Sequence, residues 1–285
     1  MRITFFASRL QTPASLSLRI RSWGRTAALL TGLLLTLLAP AANAALKFAI
    51  PPFLPQAEEE HAFAPLVQRL SEQVGVPIEI VTFPNFLAFW QATRTGSPFD
   101  IALDSAPVSD FRVQRQHWHI IAKLNGTVTQ SLVTGPKEVV LDPSELINKK
   151  IAVQPTPSVS ALTLYQLFPN PVQQPILVFK DSNREAAEAA LSGEVDAAII
   201  PTPIAAGYPA LNLVTTTKPI PFLAVSVSPN VPPAVVAALQ KALLDLDKTP
   251  TGQELLKQSQ LRAFVVANDH EYAGDSKLLE GTFGY

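Results

Sequence analysis

A succession of strands and helices occurs twice in this chain, the second time about a hundred residues after the first. Each occurrence reads strand, helix, strand, helix, strand, and its strands are short apolar runs between turn residues. In both, a helix ends in Gly and an Asp (Asp100 or Asp196) then begins the last strand, which suggests a structural turn role for the Asp. Because a strand that returns through one short helix builds a parallel sheet, the repeat predicts an α/β fold. We expect two lobes, each a mostly parallel sheet flanked by helices.

Two extended segments connect the predicted lobes. The first crossing segment, GTVTQSLVTGPKEVVLDPSEL, follows the first occurrence of the repeat. The return crossing follows the second occurrence, in LNLVTTTKPIPFLAVSVSPNVPP, which also contains another strand. Together they would form the hinge between the lobes. They divide the chain into lobe one (45–127), lobe two (128–217), and a last part (218–285) that returns to lobe one and ends in helices.

The first 44 residues have the composition of a secretory signal peptide. They contain five arginines and no acidic residue, followed by the apolar run AALLTGLLLTLLAP and the small residues Ala42-Asn43-Ala44. A basic start, a short apolar block and an A-x-A end are typical of export signals. An organelle transit peptide is the alternative, but such peptides lack a compact leucine block. We expect cleavage after Ala44 and a periplasmic protein.

Composition restricts the partners of the exported part. Without residues 1–44 the chain has 17 basic and 23 acidic residues, a net charge of −6. Such an acidic protein is a poor partner for nucleic acid or for anionic lipid. The absence of Cys excludes disulfides and thiolate metal sites. No further stretch approaches the length of a membrane span, so we expect a soluble protein. We also expect a monomer.

Four loops are candidates for one binding site. In open α/β sheets, ligands bind beyond the carboxyl ends of the strands, beside the helices that follow them. The loops at these positions carry Phe53, Asp104 with Ser105, the stretch QPTPSVSA, and Thr202. With two facing lobes, these loops would line one cleft.

The stretch QPTPSVSA has two interpretations. Free N–H groups at the start of the following helix, together with Ser158 and Ser160, could hold a small oxyanion. Alternatively, one of these serines caps the helix, which is a common role of Ser. Both interpretations remain open at the level of the sequence.

For the other candidate functional side chains, the sequence favours structural roles. His117 and His119 could begin a metal site, but two imidazoles without a nearby carboxylate more often lie on a surface. Phe86, Phe89 and Trp90 have the spacing of a buried helix face. The sequence contains no nucleophile elbow, zinc helix, phosphate loop or dinucleotide motif. We therefore expect no metal, no cofactor and no enzymatic activity.

Several stretches, taken in order, carry a family resemblance. They include LKFAIPPF, RTGSPFDIALDSAP, LINKKIAVQPTPSVSALTLY, ALSGEVDAAIIP and KPIPFLAVSVSPNVPPAVVAALQKALLDL. Together they resemble the periplasmic phosphate-, phosphite- and phosphonate-binding family across residues 46–280. Members of that family are solute receptors of ABC transporters, with the two-lobed, type II periplasmic binding fold.

The resemblance implies a set of ligand-binding residues. In the family, a Ser-Thr-Ser-Gly-like turn at the first helix of lobe two holds the phosphonate or phosphate oxygens, and an aromatic side chain lines the cleft. A Gly-Pro-Ala-like loop follows the third strand; here the acid of that loop would repel a bare phosphate, unless it takes a proton or meets an ammonium group. The implied residues are Phe53, Asp104, Ser105, Thr156, Ser158, Val159, Ser160, Ala161 and Thr202.

The resemblance also implies a function. The lobes would close on a small oxyanion of the phosphate, phosphite or phosphonate class, and the closed form would deliver it to an inner-membrane ABC permease. One alternative keeps the fold but gives the closed form a membrane sensor kinase or cyclase as its partner. Another alternative, an exported enzyme on the same scaffold, would require a polar catalytic triad in the cleft.

Overall fold

The computed structural model describes residues 44–96 and 98–285. The predicted signal peptide lies outside these residues, except for Ala44. The strands are β1 Leu46–Ala49, β2 Ile78–Val81, β3 Ile101–Asp104, β4 His119–Leu124, β5 Thr127–Val128, β6 Gln130–Thr134, β7 Lys150–Val153, β8 Ile176–Phe179, β9 Ala197–Pro201, β10 Asn212–Thr216, β11 Ile220–Pro221, β12 Ala224–Val227 and β13 Phe264–Val266.

Helices follow most of the strands. The α-helices are α1 Gln56–Val74, α2 Phe86–Arg94, α3 Ala106–Gln116, α4 Val159–Leu167, α5 Asn183–Ser192, α6 Thr202–Ala205, α7 Pro233–Asp245 and α8 Pro250–Gln258. Short 3₁₀ turns occupy Pro143–Leu146, Leu246–Lys248, Asp269–Tyr272 and Asp275–Leu279. Gly75 and Gly193 end α1 and α5 with φ angles of 73° and 81°, a left-handed conformation that Gly adopts without steric cost. No helix in the described ranges is both long and apolar enough to cross a membrane.

The α/β fold with two lobes is confirmed, but the sheets are mixed instead of mostly parallel. Lobe one contains a six-stranded sheet in the order β13-β4-β12-β3-β1-β2, and lobe two a five-stranded sheet in the order β10-β6-β9-β7-β8. Within each sheet, three strands are parallel: β1 with β2 and β3, and β7 with β8 and β9. The strands β12 and β6 run antiparallel to their neighbours.

The direction of these antiparallel strands follows from the crossings. The parallel strands of each lobe end at the side of the sheet that faces the other lobe. A strand that enters a lobe from a crossing segment must begin at that same side, so it runs in the opposite direction. Both β6, directly after β5, and β12, directly after β11, enter in this way.

The two crossing segments pair with each other. Strands β5 and β11 form a small antiparallel sheet in which Val128 faces Ile220 and Thr127 faces Pro221. The two connections between the lobes therefore lie side by side.

The repeated Asp has the same contacts in both lobes. A carboxylate oxygen of Asp100 accepts the Lys47 N–H at 2.9 Å, and the Asp100 N–H donates to the Lys47 carbonyl at 3.0 Å. In lobe two, a carboxylate oxygen of Asp196 accepts the Lys150 N–H at 2.7 Å, and its N–H donates to the Lys150 carbonyl at 3.0 Å. Each Asp thus fastens the start of the last strand of a unit to the start of its first strand, which confirms the structural interpretation.

The C-terminal segment packs across lobe one and reaches lobe two. The carboxylate of Asp110 on α3 accepts N–H groups from Gly274 and Ser276 at 3.0 and 2.9 Å. Leu279 is fully buried in a cluster with Trp90 of α2 and Leu162 of α4. The predicted burial of Trp90, Phe86 and Phe89 is confirmed, and the cluster joins the two lobes through apolar contacts.

Candidate functional site

A cavity of about 450 Å³ lies between the two lobes. Its walls come from the loops that follow the parallel strands of both sheets and from the crossing segments. This is the position at which open α/β sheets bind ligands. The predicted residues that line it are Phe53, Ser105, Ser158, Val159 and Ser160.

Both serines at the start of α4 are buried and hydrogen-bonded within their own loop. Ser158 Oγ donates to the Gln154 carbonyl at 2.6 Å and accepts the Ala161 N–H at 3.2 Å. Ser160 Oγ accepts the Gln154 N–H at 3.2 Å and lies 3.1 Å from Ser158 Oγ. The capping interpretation is therefore confirmed for Ser158. The two hydroxyl groups stabilise the loop. Most of their donor and acceptor positions are occupied by these hydrogen bonds.

The N–H groups at the same helix start are the donors that remain. Val159 and Ser160 are the first two residues of α4, where N–H groups have no partner in the preceding turn. Within the described part of the chain, neither N–H group has a hydrogen-bond partner. Both residues line the cavity, and the helix dipole adds partial positive charge at this position.

Replacing Ser158 by Ala should lower the free energy of unfolding by about 1 kcal/mol, because an N-cap hydrogen bond is lost. Urea denaturation measures this change. Thr249→Ala is the matched control, since Thr249 Oγ1 caps α8 by accepting the Gly252 N–H at 3.1 Å, outside the cavity lining. Both variants should lose similar stability, whereas only Ser158→Ala should weaken a ligand held by the α4 loop. An unchanged stability of Ser158→Ala would contradict the capping role.

Ser105 also lines the cavity, and its hydroxyl is available. It precedes α3 as its N-cap, but its side chain makes no capping hydrogen bond. Its hydroxyl has no hydrogen-bond partner among the residues that the structure describes. Ser105 therefore offers a donor from lobe one in the same cavity as the N–H groups of lobe two.

Asp104 lies behind the cavity wall. It is fully buried, and its carboxylate accepts a hydrogen bond from Arg112 Nε at 2.5 Å. Burial raises the pKa of Asp104, and the Arg112 guanidinium opposes that shift. The guanidinium also stacks 4.6 Å from the centre of the Trp118 ring. The structure thus gives Asp104 a structural partner, in place of the predicted position beside the ligand.

Three further predicted residues are outside the lining. Ala161 is fully buried in the core of lobe two, and Thr156 precedes Pro157, which does line the cavity. Thr202 Oγ1 and Thr129 Oγ1, 2.6 Å apart, share a hydrogen bond in which either hydroxyl can be the donor. Thr129 belongs to the first crossing segment. Thr202 therefore ties α6 to the crossing segment and does not face the ligand space.

Two further residues of the lining, Gln154 and Gln130, were not predicted from the sequence. Gln154, one residue beyond β7, reaches across the cleft, with its Nε2 3.5 Å from the carbonyls of Pro52 and Phe53. Gln130 is 4 % exposed, and its Oε1 is buried without a partner in the described residues. The position of Gln154 at a strand end was a usable signal. Nothing in the local pattern distinguishes Gln130 from other residues of the crossing.

The charge of the lining favours an anion. Arg184 from lobe two and Arg262 from lobe one line the cavity, neither has an ion-pair partner in the described chain, and the lining contains no Asp or Glu. Glu59 lies nearby, fully buried, and accepts the Phe53 N–H at 2.9 Å. Burial raises the pKa of Glu59 to about 8, so this group is mostly neutral at pH 7.

The structure gives no support to a metal site at the two predicted histidines. His119 Nδ1 lies 3.2 Å from a carboxylate oxygen of Asp269, and both side chains are partly exposed. Across residues 44–96 and 98–285, no group of three or more His, Asp or Glu side chains is placed to hold a metal ion.

Solved structures of periplasmic binding proteins share this fold. PhnD1 of Prochlorococcus marinus, solved with methylphosphonate, matches with a TM-score of 0.72 at 15 % identity over 85 % of this chain and 99 % of that one. A binding component of a Pseudomonas aeruginosa ABC phosphonate transporter matches with a TM-score of 0.67 at 17 % identity over 82 % and 85 % of the two chains. A Xanthomonas citri protein solved with ATP matches with a TM-score of 0.64 at 16 % identity over 84 % and 100 %. At these identities, the matches show the fold and not the ligand.

The family assignment comes from the sequence of most of the chain. No curated protein matches this chain. A family model described as "ABC transporter, phosphonate, periplasmic substrate-binding protein" matches residues 48–272, which include both sheets and the cleft loops. That family binds substrates and is not enzymatic. This protein belongs to the phosphonate-binding family of periplasmic substrate-binding proteins of ABC transporters.

Proposed function

We propose that this protein, exported by cleavage after Ala44, binds a small oxyanion of the phosphate, phosphite or phosphonate class and delivers it to an inner-membrane ABC permease. The observation that carries this proposal is the pair of unpartnered N–H groups of Val159 and Ser160 in the wall of the cleft. Anions bind at such helix starts because the N–H groups point at the ligand and the helix dipole is positive there.

Lobe one supplies the second half of the proposed site. The free hydroxyl of Ser105 donates to the bound oxyanion, and Arg184 and Arg262 add positive charge on either side. With no carboxylate in the lining, an anion meets no repulsion from an ionised neighbour. Contacts from both lobes favour a closed form, in which lobe one (45–127 and 218–285) and lobe two (128–217) hold the ligand between them.

Replacing Val159 by Pro tests the proposed contact with the backbone. Proline fits the first position of a helix, because its fixed φ suits that position and it removes only an N–H group that the helix does not use. Ser158 already has φ −59° and ψ 147°, which a residue before proline adopts readily. We expect the dissociation constant for methylphosphonate to rise at least about tenfold, since a hydrogen bond to a charged group contributes about 1.5–3 kcal/mol. Isothermal titration calorimetry measures this change.

Val159→Ala is the matched control for this experiment. It shortens the side chain and keeps the N–H group, so its affinity should stay close to that of the unchanged protein. Thermal denaturation of both variants checks that the fold is intact. Equal affinities of Val159→Pro and Val159→Ala would contradict the proposed role of the N–H group.

A further inference from the structure

The cavity is large for an inorganic oxyanion. Its volume of about 450 Å³ lies within the range of about 300–1,000 Å³ that is usual for organic ligands. A phosphate ion has only five heavy atoms, and a single water takes about 30 Å³ in the liquid. An ion of that size at the start of α4 therefore leaves most of the cavity unfilled.

The cavity is not merely an open space between separated lobes. Gln154 of lobe two lies against the carbonyls of Pro52 and Phe53 of lobe one. Leu162 of lobe two shares a buried apolar cluster with Trp90 and Leu279 of lobe one. Because the lobes already touch at these two places, the remaining volume lies between walls that both lobes contribute.

The walls of this space are mainly apolar and aromatic. Lobe one contributes Phe53, Phe86, Phe89 and Phe222, and lobe two contributes Ile204, all of which line the cavity. Aromatic walls bind apolar groups, through burial of surface and through ring contacts. A ligand that fills this space gains most by presenting an aryl or branched alkyl group to it.

The lining has no carboxylate partner for a ligand ammonium group. It contains no Asp or Glu, and the carboxylate of Asp104 is already held by Arg112 behind the wall. Burying an ammonium group without a carboxylate partner is costly. An aminoalkyl substituent is therefore disfavoured in this cavity.

From these observations we infer that the ligand is an organophosphonate whose substituent is bulky, apolar and uncharged, such as an aryl group. This inference rests on the proposed function, since it takes the oxyanion to be held at the start of α4. The apolar wall then selects the substituent, and the absence of acids in the lining disfavours amino-substituted analogues.

A panel of four compounds tests the inference by isothermal titration calorimetry on the unmodified protein at pH 7. The compounds are phenylphosphonate, methylphosphonate, 2-aminoethylphosphonate and inorganic phosphate. We expect phenylphosphonate to bind at least about tenfold more tightly than methylphosphonate, which corresponds to about 1.4 kcal/mol. We expect 2-aminoethylphosphonate to bind more weakly than methylphosphonate.

The outcomes separate the two proposals. If phosphate, methylphosphonate or 2-aminoethylphosphonate binds as tightly as phenylphosphonate, the inference about the substituent is overturned and the proposed function stands. If none of the four compounds binds, the proposed function itself fails, and the inference fails with it.

A variant tests the apolar wall directly. Ile204→Trp places a larger side chain in the cavity, and Leu213→Trp, at a position 61 % exposed and outside the lining, is the matched control. We expect Ile204→Trp to weaken phenylphosphonate at least about tenfold, and to change methylphosphonate by less than about threefold. An equal effect on both compounds, or no effect on phenylphosphonate, would contradict the inference. Thermal denaturation of the two variants checks that they fold. The four-compound panel uses the unmodified protein, so its result stands whether or not these variants fold.

Discussion

Replacing Asp104 by Ala is expected to lower the free energy of unfolding by about 3–5 kcal/mol, because it leaves the buried Arg112 guanidinium without its counter-charge. Both side chains of this pair are fully buried, and they are joined at 2.5 Å. A guanidinium remains protonated in proteins, so it cannot escape the cost by releasing a proton. The aromatic rings of Trp118 and Phe99, at 4.6 and 5.2 Å from the guanidinium, offset only part of the lost charge interaction.

Guanidinium chloride denaturation at fixed pH measures this loss. Glu72→Ala is the control, since Glu72 forms an exposed ion pair with Arg69 at 3.4 Å, and such pairs contribute about 0–1 kcal/mol. A loss for Asp104→Ala no larger than that for Glu72→Ala would show that the buried pair is not structural.

Glu59 is expected to make the protein less stable as the pH rises. Its pKa is raised from 4.5 to about 8 in the folded protein, because burial disfavours the charged form. Its contribution is therefore fully present below pH 4.5, falls as the pH rises between these two values, and is lost above the folded pKa. Between pH 5 and pH 8 the loss amounts to about 4 kcal/mol, at about 1.4 kcal/mol for each pH unit.

Glu59→Gln isolates this contribution. The amide stays neutral at all pH values and can still accept the Phe53 N–H, as the Glu59 carboxyl does. The difference in unfolding free energy between Glu59→Gln and the unchanged protein should grow by about 4 kcal/mol in favour of Gln from pH 5 to pH 8. Other titrating groups cancel in this difference, including Asp275, whose pKa burial raises to about 6. A difference that is constant with pH would contradict the raised pKa of Glu59.

The repeat was readable from sequence because its signals are local. Apolar runs, glycine helix ends and the repeated Asp each depend on a few neighbouring residues, and the contacts of Asp100 and Asp196 match that interpretation. The direction of β6 and β12 was not readable in the same way. It depends on the side from which a crossing segment enters a sheet, and this is a property of the tertiary structure.

The candidate site was only partly readable, for a related reason. A carboxylate at a strand end has the same local pattern whether it faces a ligand or a buried arginine, so the sequence did not reveal the arginine partner of Asp104. Its partner Arg112 lies eight residues later on the next helix, a spacing that offers a weak signal. The loop serines lie where expected, but their hydrogen bonds to the Gln154 backbone depend on how the loop folds, which the local sequence does not show.

The pairing of the crossing segments bears on how the cleft opens. Antiparallel pairing in a fixed register, with Val128 opposite Ile220, keeps either segment from sliding past the other. A movement of lobe two that preserves this ribbon must bend both connections together, which leaves one principal angle of rotation. A single inter-lobe distance, followed between two fluorescent labels, would therefore report the whole path between the open and the closed protein.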